Sequence, residues 1–475
     1  MTHETITNLD TGARIDHAAL MALRDGFRGV VLQPGDEPYD EARRLWNGMI
    51  DKRPALIARC AGVADVIESV RFAQDHDLVV TVRGGGHGVA GNALADGGLV
   101  IDLSAMKGVR VDPVRRTAWA EAGCTLGDLD RETQAFGLAA PLGVVSRTGI
   151  AGLTLSGGIG WLRRTHGLAS DNLLSVDLVT ADGRFLTVSE TENPDLFWGV
   201  RGGGGSFGVV TSFEYRLHPV GPDVMFAFVL YPGDRAREII RHVDEYMRAA
   251  PDEVGPLAFL GRVPHADIFP PESHGQPYVA VAAVYAGDPE KGAGVVAPLR
   301  AFGDPIVDLS GVMPYREVQQ ILDEDYPDGW FYYWKSADLD ELADEAIDRL
   351  VARSDTAPSH HSTIDVWFHG GALDRVDPAA TAFGARPGYL IGVEANWEER
   401  SEADANIAWA RETVADLEPF SSGGGYLNFP GLFEEGEEQL KASYGERNYE
   451  RLVALKNELD PTNLFGAAGG IRSTV

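Results

Sequence analysis

The run Leu78-Val79-Val80-Thr81-Val82-Arg83-Gly84-Gly85-Gly86-His87-Gly88 joins a strand to three residues without a Cβ and then to an imidazole. Residues 78–82, apolar or β-branched throughout, read as a buried β-strand, so the glycines fall in the turn that leaves it. Backbone amides in such a turn can point at an anion, and the missing side chains let a ligand approach the main chain closely. His87 adds a nucleophilic nitrogen beside that anion site. A glycine run alone is as often a plain turn; partners further along the chain give this one its weight.

At 475 residues the chain exceeds one ordinary core and predicts two or three domains. Hydrophobic residues make up 44% and charged residues 24%, which excludes disordered and fibrous classes. No apolar run is long enough to span a bilayer. The net charge of −30 argues against polyanionic partners, both nucleic acid and anionic membrane surfaces. Only six of the 41 basic residues are lysine, which fits a GC-rich or a salt-adapted source equally well. The start Met1-Thr2-His3-Glu4-Thr5-Ile6 has neither the basic residues nor the apolar core of a signal peptide, so a cytoplasmic protein is expected. Cys60 and Cys124, far apart and outside any metal-spaced set, are expected to be buried structural thiols.

Ala55-Leu56-Ile57 reads as a strand, and Val63 to His76 carries apolar residues at helical spacing (Val63, Val66, Ile67, Val70, Ala73). With strand 78–82 this makes a βαβ unit. Strands are expected at 99–103 and 117–122, and a helix at 126–134 entered through Thr125. Strand 173–180, the turn Ala181-Asp182-Gly183-Arg184 and strand 185–188 form a hairpin. Two more glycine clusters follow the first, one over 143–160 and one at Gly202-Gly203-Gly204-Gly205-Ser206-Phe207-Gly208, which feeds strand 209–217. His218-Pro219-Val220-Gly221-Pro222 reads as a domain boundary. Beyond it, helices at 234–248, 338–353 and 402–417 alternate with strands at 278–285, 363–368 and 389–397, and Pro264, Pro270 and Pro271 mark a loop. The final stretch starts as a helix near Tyr444 and turns at Asp460-Pro461-Thr462-Asn463. The expected division is 1–220, 221–440 and a segment 441–475 that returns to the first domain.

The three glycine clusters, His87, Asn448-Tyr449-Glu450-Arg451-Leu452, Lys456 and Asp460-Pro461-Thr462-Asn463-Leu464-Phe465, taken in this order, resemble the berberine bridge enzyme-like flavin oxidases of the vanillyl-alcohol oxidase superfamily. The likeness is strong over about 50–220 and good in the C-terminal segment, and thin over 221–440. It implies an α+β fold: a two-part FAD-binding domain of the vanillyl-alcohol oxidase type, distinct from a Rossmann fold, plus a substrate domain with a large, mainly antiparallel sheet covered by helices. It further implies FAD, its diphosphate cradled by Arg83, Gly84, Gly85, Gly86, His87 and Gly88, with a covalent bond to His87. Electron withdrawal by such a bond raises the flavin potential. Many relatives attach the flavin a second time through a cysteine. Val145 stands at that position, so attachment through His87 only is expected. Further FAD contacts are implied for Thr148, Gly149, Gly152, Ser156, Gly157, Gly158 and Gly160 of the second cluster, Gly208 and Val210 of the third, and Asn172, Asn428, Asn448 and Asn463. Thr148 matches the position that gates oxygen. Leu153 replaces a histidine found near the flavin pyrimidine in many relatives, leaving a backbone amide within 149–158 to stabilise reduced flavin.

In such an oxidation hydride leaves a substrate carbon toward flavin N5 while a base takes the proton from the attached hydroxyl or amine. Tyr426, in Gly423-Gly424-Gly425-Tyr426-Leu427-Asn428-Phe429, matches the family's Tyr-x-Asn segment, where tyrosine is the base in several relatives. A free phenol has a pKa of about 10, so a cation or hydrogen-bond donors must assist it. Lys335, in Phe331-Tyr332-Tyr333-Trp334-Lys335-Ser336, is either that cation or a surface lysine on a buried aromatic strand. His360, His361 and His369 show no metal spacing, and no metal is expected. The expected activity is oxidation of a small secondary alcohol, sugar hemiacetal or amine with oxygen as acceptor and hydrogen peroxide as by-product, by a monomer or homodimer. A flavin dehydrogenase using another acceptor, and a flavin-containing binding protein without turnover, are the competing readings.

Overall fold

The first glycine turn leaves the edge of a small four-stranded sheet. The computed structural model describes residues 6–7, 14–384, 386–466 and 470–475. In this sheet the order is Val30–Leu32, Leu56–Arg59, Leu99–Asp102, Val80–Arg83, the first antiparallel to its neighbour and the others parallel. Helix Val63–Asp75 connects Leu56–Arg59 to Val80–Arg83 as the spacing predicts, yet those two strands are not neighbours. Leu99–Asp102 lies between them, paired on both edges and with all four of its residues buried.

A second, antiparallel sheet runs Phe185–Ser189, Leu173–Val179, Val209–Arg216, Thr117–Glu121, Val109–Asp112. Its hairpin turns at Gly183, whose φ of +73° favours glycine. Helix Leu126–Gln134 packs beside it and starts at a capping box, in which Thr125 and Asp128 satisfy each other's backbone amides.

The third sheet is antiparallel throughout, in the order Val307–Asp308, Asp223–Pro232, Pro277–Tyr285, Val254–Arg262, Thr363–Phe368, Tyr389–Trp397, Phe331–Leu339, with Gly311–Pro314 pairing along Asp223–Pro232. On Pro277–Tyr285, Val279, Val281, Ala283 and Tyr285 join a core with helices Ala236–Met247, Asp344–Asp355 and Ala403–Leu417, while Ala280, Ala282 and Val284 join a second core on the other face. A strand covered on both faces reads as a continuous apolar run. The expected helix at 338–353 begins only at Asp344, because Asp338 and Leu339 complete the ladder opposite Leu390 and Tyr389. Asp223–Pro232 and Val254–Arg262 lie where no strand is expected. Val254–Arg262 holds Gly255, Pro256 and Gly261, which weaken its signal. Pro256 is tolerated because the ladder to Thr363–Phe368 begins one residue later, at Leu257.

The C-terminal segment lies against the third glycine cluster. Lys456 Nζ, fully buried, donates to Ser206 O at 2.7 Å and pairs with the equally buried Asp460 at 2.6 Å. Asp460 also accepts from the amides of Leu464 and Phe465, which fixes the turn that ends helix Glu446–Leu459.

Candidate active site

The first two glycine loops cross in contact. A Cβ on Gly85 would stand 2.6 Å from Gly149 N and Cα, and one on Gly149 would stand 2.5 Å from Gly85 N. No side chain fits at either place, so the crossing depends on both residues being glycine. From it opens a cavity of about 380 Å³, lined by Gly84–Gly88, by Thr148, Gly149, Gly152 and Ser156, by Gly203–Gly205, Gly208 and Val210, and on the far side by the third sheet together with Tyr426 and Asn428.

His87 lies in the cavity wall. Its ring stacks on Trp46 at 4.1 Å and 14°, and Trp46 stacks in turn on Tyr332 at 3.7 Å and 14°. Trp46 is held by its indole N–H, which donates to Tyr326 O, while Asn47 donates to Val89 O and Tyr332 O. One short segment therefore ties the histidine loop to the third sheet and holds the imidazole flat. Burial pushes the His87 pKa down to about 3, so the ring is neutral across the working range of pH. Its Nε2 is buried with no hydrogen-bond partner. A neutral imidazole with a free nitrogen is a competent nucleophile.

Tyr426, 5% exposed, presents its phenol oxygen to Asn428 Nδ2 at 2.7 Å and to the Ile159 amide at 3.2 Å. With these two groups donating, the phenol proton is left for another acceptor. Burial raises the phenol above its ordinary range, and the donors from Asn428, Ile159 and Gly158 pull the other way by favouring the phenolate. The ring is edge-on to Phe429, which is edge-on to Trp334.

Sheet alternation sends Leu257, Phe259, Trp334, Asp365, Trp367, Leu390 and Glu394 into the same cavity. Asp365 and Glu394 are 1% and 3% exposed and in hydrogen-bond contact with each other. Two carboxylates in an apolar wall cannot both ionise near neutral pH. Burial and the Glu394 charge raise Asp365 well above the carboxylate range, while burial and the Asp325 charge, set against hydrogen bonds from Tyr326 and Asp365, bring Glu394 to about 7. Tyr326 donates to Glu394 Oε2 at 2.7 Å, whereas Asp365 Oδ1 and Trp367 Nε1 are buried without partners.

Of the residues singled out in the sequence, the cavity gathers Gly84, Gly85, Gly86, His87, Gly88, Thr148, Gly149, Gly152, Ser156, Gly208, Val210, Tyr426 and Asn428, and Val145 and Leu153 with them. Others lie elsewhere. Arg83 reaches away from the cavity to Ala42 O. Gly157 and Gly158 have φ of +104° and +84° and shape the turn whose amides reach Tyr426, and Gly160 packs against Leu142 O. Asn172 bonds His166 O, Leu168 O and His218; Asn448 bonds Ala382 O; Asn463 bonds Ser473. All three asparagines act as braces between segments. Lys335 follows Trp334 on its strand and therefore points to the opposite, helix-covered face, where it pairs with Glu435 and not with Tyr426. Trp46, Asp365 and Glu394 were not singled out. The signal for the carboxylates was a lone acid within an apolar strand, in Ile364-Asp365-Val366 and Val393-Glu394-Ala395.

Among the described residues no cluster of His, Cys, Asp and Glu is suited to a metal ion, and no helix is long and apolar enough to cross a membrane. Cys60 and Cys124 are buried free thiols, and burial pushes Cys124 up to about 12.

Three glycine turns meeting in one cleft, with a partnerless imidazole nitrogen in its wall, suit a dinucleotide that carries a reactive ring. Residues 54–189 match the family described as FAD binding domain, and 425–472 match that described as berberine and berberine like. An FAD-linked oxidoreductase of Dictyostelium discoideum is 32% identical over 447 residues, covering 93% of this chain and 94% of that one. The (R)-6-hydroxynicotine oxidase of Paenarthrobacter nicotinovorans is 32% identical over 455 residues, covering 92% and 95%. The crystal structure of 6-hydroxy-D-nicotine oxidase from Arthrobacter nicotinovorans superposes with a TM-score of 0.83 at 30% identity, covering 94% of this chain and 98% of that one. By sequence along its length and by fold, the chain belongs to the berberine bridge enzyme-like FAD-linked oxidoreductases.

Proposed function

We propose that the protein is an oxidase that holds FAD covalently through His87 only, removes hydride from a carbon bearing a hydroxyl or amine in a small molecule, and returns the electrons to oxygen as hydrogen peroxide. The observation that carries this reading is Tyr426: its oxygen, held by two donors, shares one cavity with the glycine turns and His87. FAD, when bound, supplies the hydride acceptor. The chain's own residues do the rest. Neutral His87 offers the nucleophilic nitrogen, and Val145 offers no thiol for a second bond. Tyr426 takes the substrate proton, with Asn428 and the 158–159 amides stabilising the phenolate that forms. Phe259, Trp334, Trp367 and Phe429 exclude water from the reacting carbon. Residues 1–220 with 441–475 serve the cofactor and 221–440 the substrate, in a cytoplasmic monomer or homodimer.

The test is anaerobic mixing with a panel of secondary alcohols, sugars and amines, followed by air. The oxidase reading requires at least one compound to bleach the flavin and oxygen to restore it, with one peroxide formed per turnover. A reduced flavin that persists in air would make the protein a dehydrogenase, and a flavin that no compound bleaches would favour a binding protein without turnover.

A further inference from the structure

Asp365 and Glu394 stand out among the cavity residues because no cation among the described residues lining it answers their charge. Among the described residues no lysine or arginine lines the cavity, and its one histidine, His87, is neutral. The groups that face the pair are the Tyr326 hydroxyl, which donates to Glu394, the Thr363 hydroxyl beside Asp365, and Asp325, whose charge opposes ionisation of both Tyr326 and Glu394. Around them are Leu257, Phe259, Leu322, Trp334, Trp367 and Leu390. Asp365 Oδ1 remains buried without a partner. Buried charges are ordinarily paired, and an unpaired one in an apolar wall is strongly unfavourable.

Above about pH 7, where Glu394 has released its proton and Asp365 keeps one, the pair carries a net charge of −1, and a protonated amine brings that wall to neutrality while giving Asp365 Oδ1 its missing donor. We infer that the cavity selects a compact apolar or aromatic substrate bearing a protonated amine, which Asp365 and Glu394 bind jointly as an ammonium. This deepens the proposed oxidase reading, on which it rests, by naming the amine as the class of substrate. Sugars and neutral alcohols leave the Asp365–Glu394 charge unanswered, and anionic substrates are repelled by it. A charge-assisted hydrogen bond in such a site favours the amine over a neutral isostere by about tenfold to a hundredfold.

The test compares N-methylbenzylamine with benzyl methyl ether, which have the same shape and differ in the ammonium. Binding is measured by calorimetry on holoenzyme reduced with dithionite under nitrogen, so that no turnover occurs. The inference expects the amine to bind at least about tenfold tighter than the ether. It also expects this preference to vanish in Asp365→Asn/Glu394→Gln, with ether binding retained. Equal affinity for the two probes in the wild-type protein, or an undiminished preference in the double variant, would overturn it. The comparison within the wild-type protein stands even if the variant fails to fold. Admitting air to the same reduced sample reports separately on the oxidase reading, through recovery of the flavin spectrum.

Discussion

Replacing Tyr426 with phenylalanine removes one oxygen and leaves the ring, its contact with Phe429 and the cavity wall in place. Loss of a positioned base lowers a chemical step by about 10²- to 10⁴-fold, or roughly 3–5 kcal/mol in barrier. The same change leaves Asn428 Nδ2 and the Ile159 amide without their acceptor. Each unpaired donor costs about 1–3 kcal/mol of stability. For a chain of this length the entropy of unfolding at the midpoint is on the order of 1 kcal/mol/K, so melting falls by only about 2–6 °C. The variant should therefore remain folded and hold its flavin while reducing it far more slowly. Sign follows from burial: the phenol titrates above its ordinary range, so the base form is gained as pH rises. Wild-type flavin reduction should climb with pH without a plateau below about 10, and the climb should be absent from Tyr426→Phe. Anaerobic stopped-flow reduction with the best substrate of the panel measures both. A variant within tenfold of wild type, or one that keeps the pH dependence, would refute the assignment of Tyr426 as base.

Gly149→Ala places a Cβ 2.5 Å from Gly85 N, where only backbone movement relieves the clash. Loss of about 1–3 kcal/mol and of bound flavin is expected, read by melting and by the ratio of flavin to protein absorbance. Gly294→Ala, in helix Pro289–Arg300 with nothing within 4 Å, should instead stabilise by up to about 1 kcal/mol. Glu394→Gln probes the carboxyl pair through stability. A carboxyl held at about 7, above its ordinary 4.5, lends stability that is complete below 4.5 and lost as pH rises through 7. Wild type should thus weaken on the order of 3 kcal/mol between those limits. The glutamine variant should show a smaller slope, with the part due to Asp365 remaining, and an unchanged slope in denaturation series at pH 5 and 8 would contradict the shared proton.

The cofactor side of the fold was legible because its chemistry is written in short local runs. Gly85, Gly149 and Gly203 stand where a Cβ would come within 2.6 Å of backbone atoms, Gly86 and Gly204 have φ of +70° and +74°, and strand, helix and glycine turn follow one another without long insertions. The substrate side was less so. Its strands are buried on both faces and lack alternation, and Val254–Arg262 contains glycines and a proline whose tolerance depends on partners distant in sequence, Trp161 O standing 1.9 Å from where a Cβ on Gly255 would lie. Lys335 shows the limit from the other direction. The sequence sets it beside an aromatic run, and only the register against Tyr389–Trp397 decides that Trp334 enters the cavity and Lys335 leaves it. The carboxyl pair depends on the same register, which brings Asp365 and Glu394 from two strands to one face.

The most direct test of the central claim is the absorption spectrum of the acid-precipitated protein, wild type beside His87→Ala. A neutral imidazole with a free nitrogen, fixed by Trp46 in the wall of the glycine-lined cavity, predicts flavin absorbance retained in the wild-type pellet and released to the supernatant by the variant. Flavin wholly in the supernatant of the wild type would contradict covalent attachment, and a protein without flavin in either fraction would contradict the account of the cavity itself.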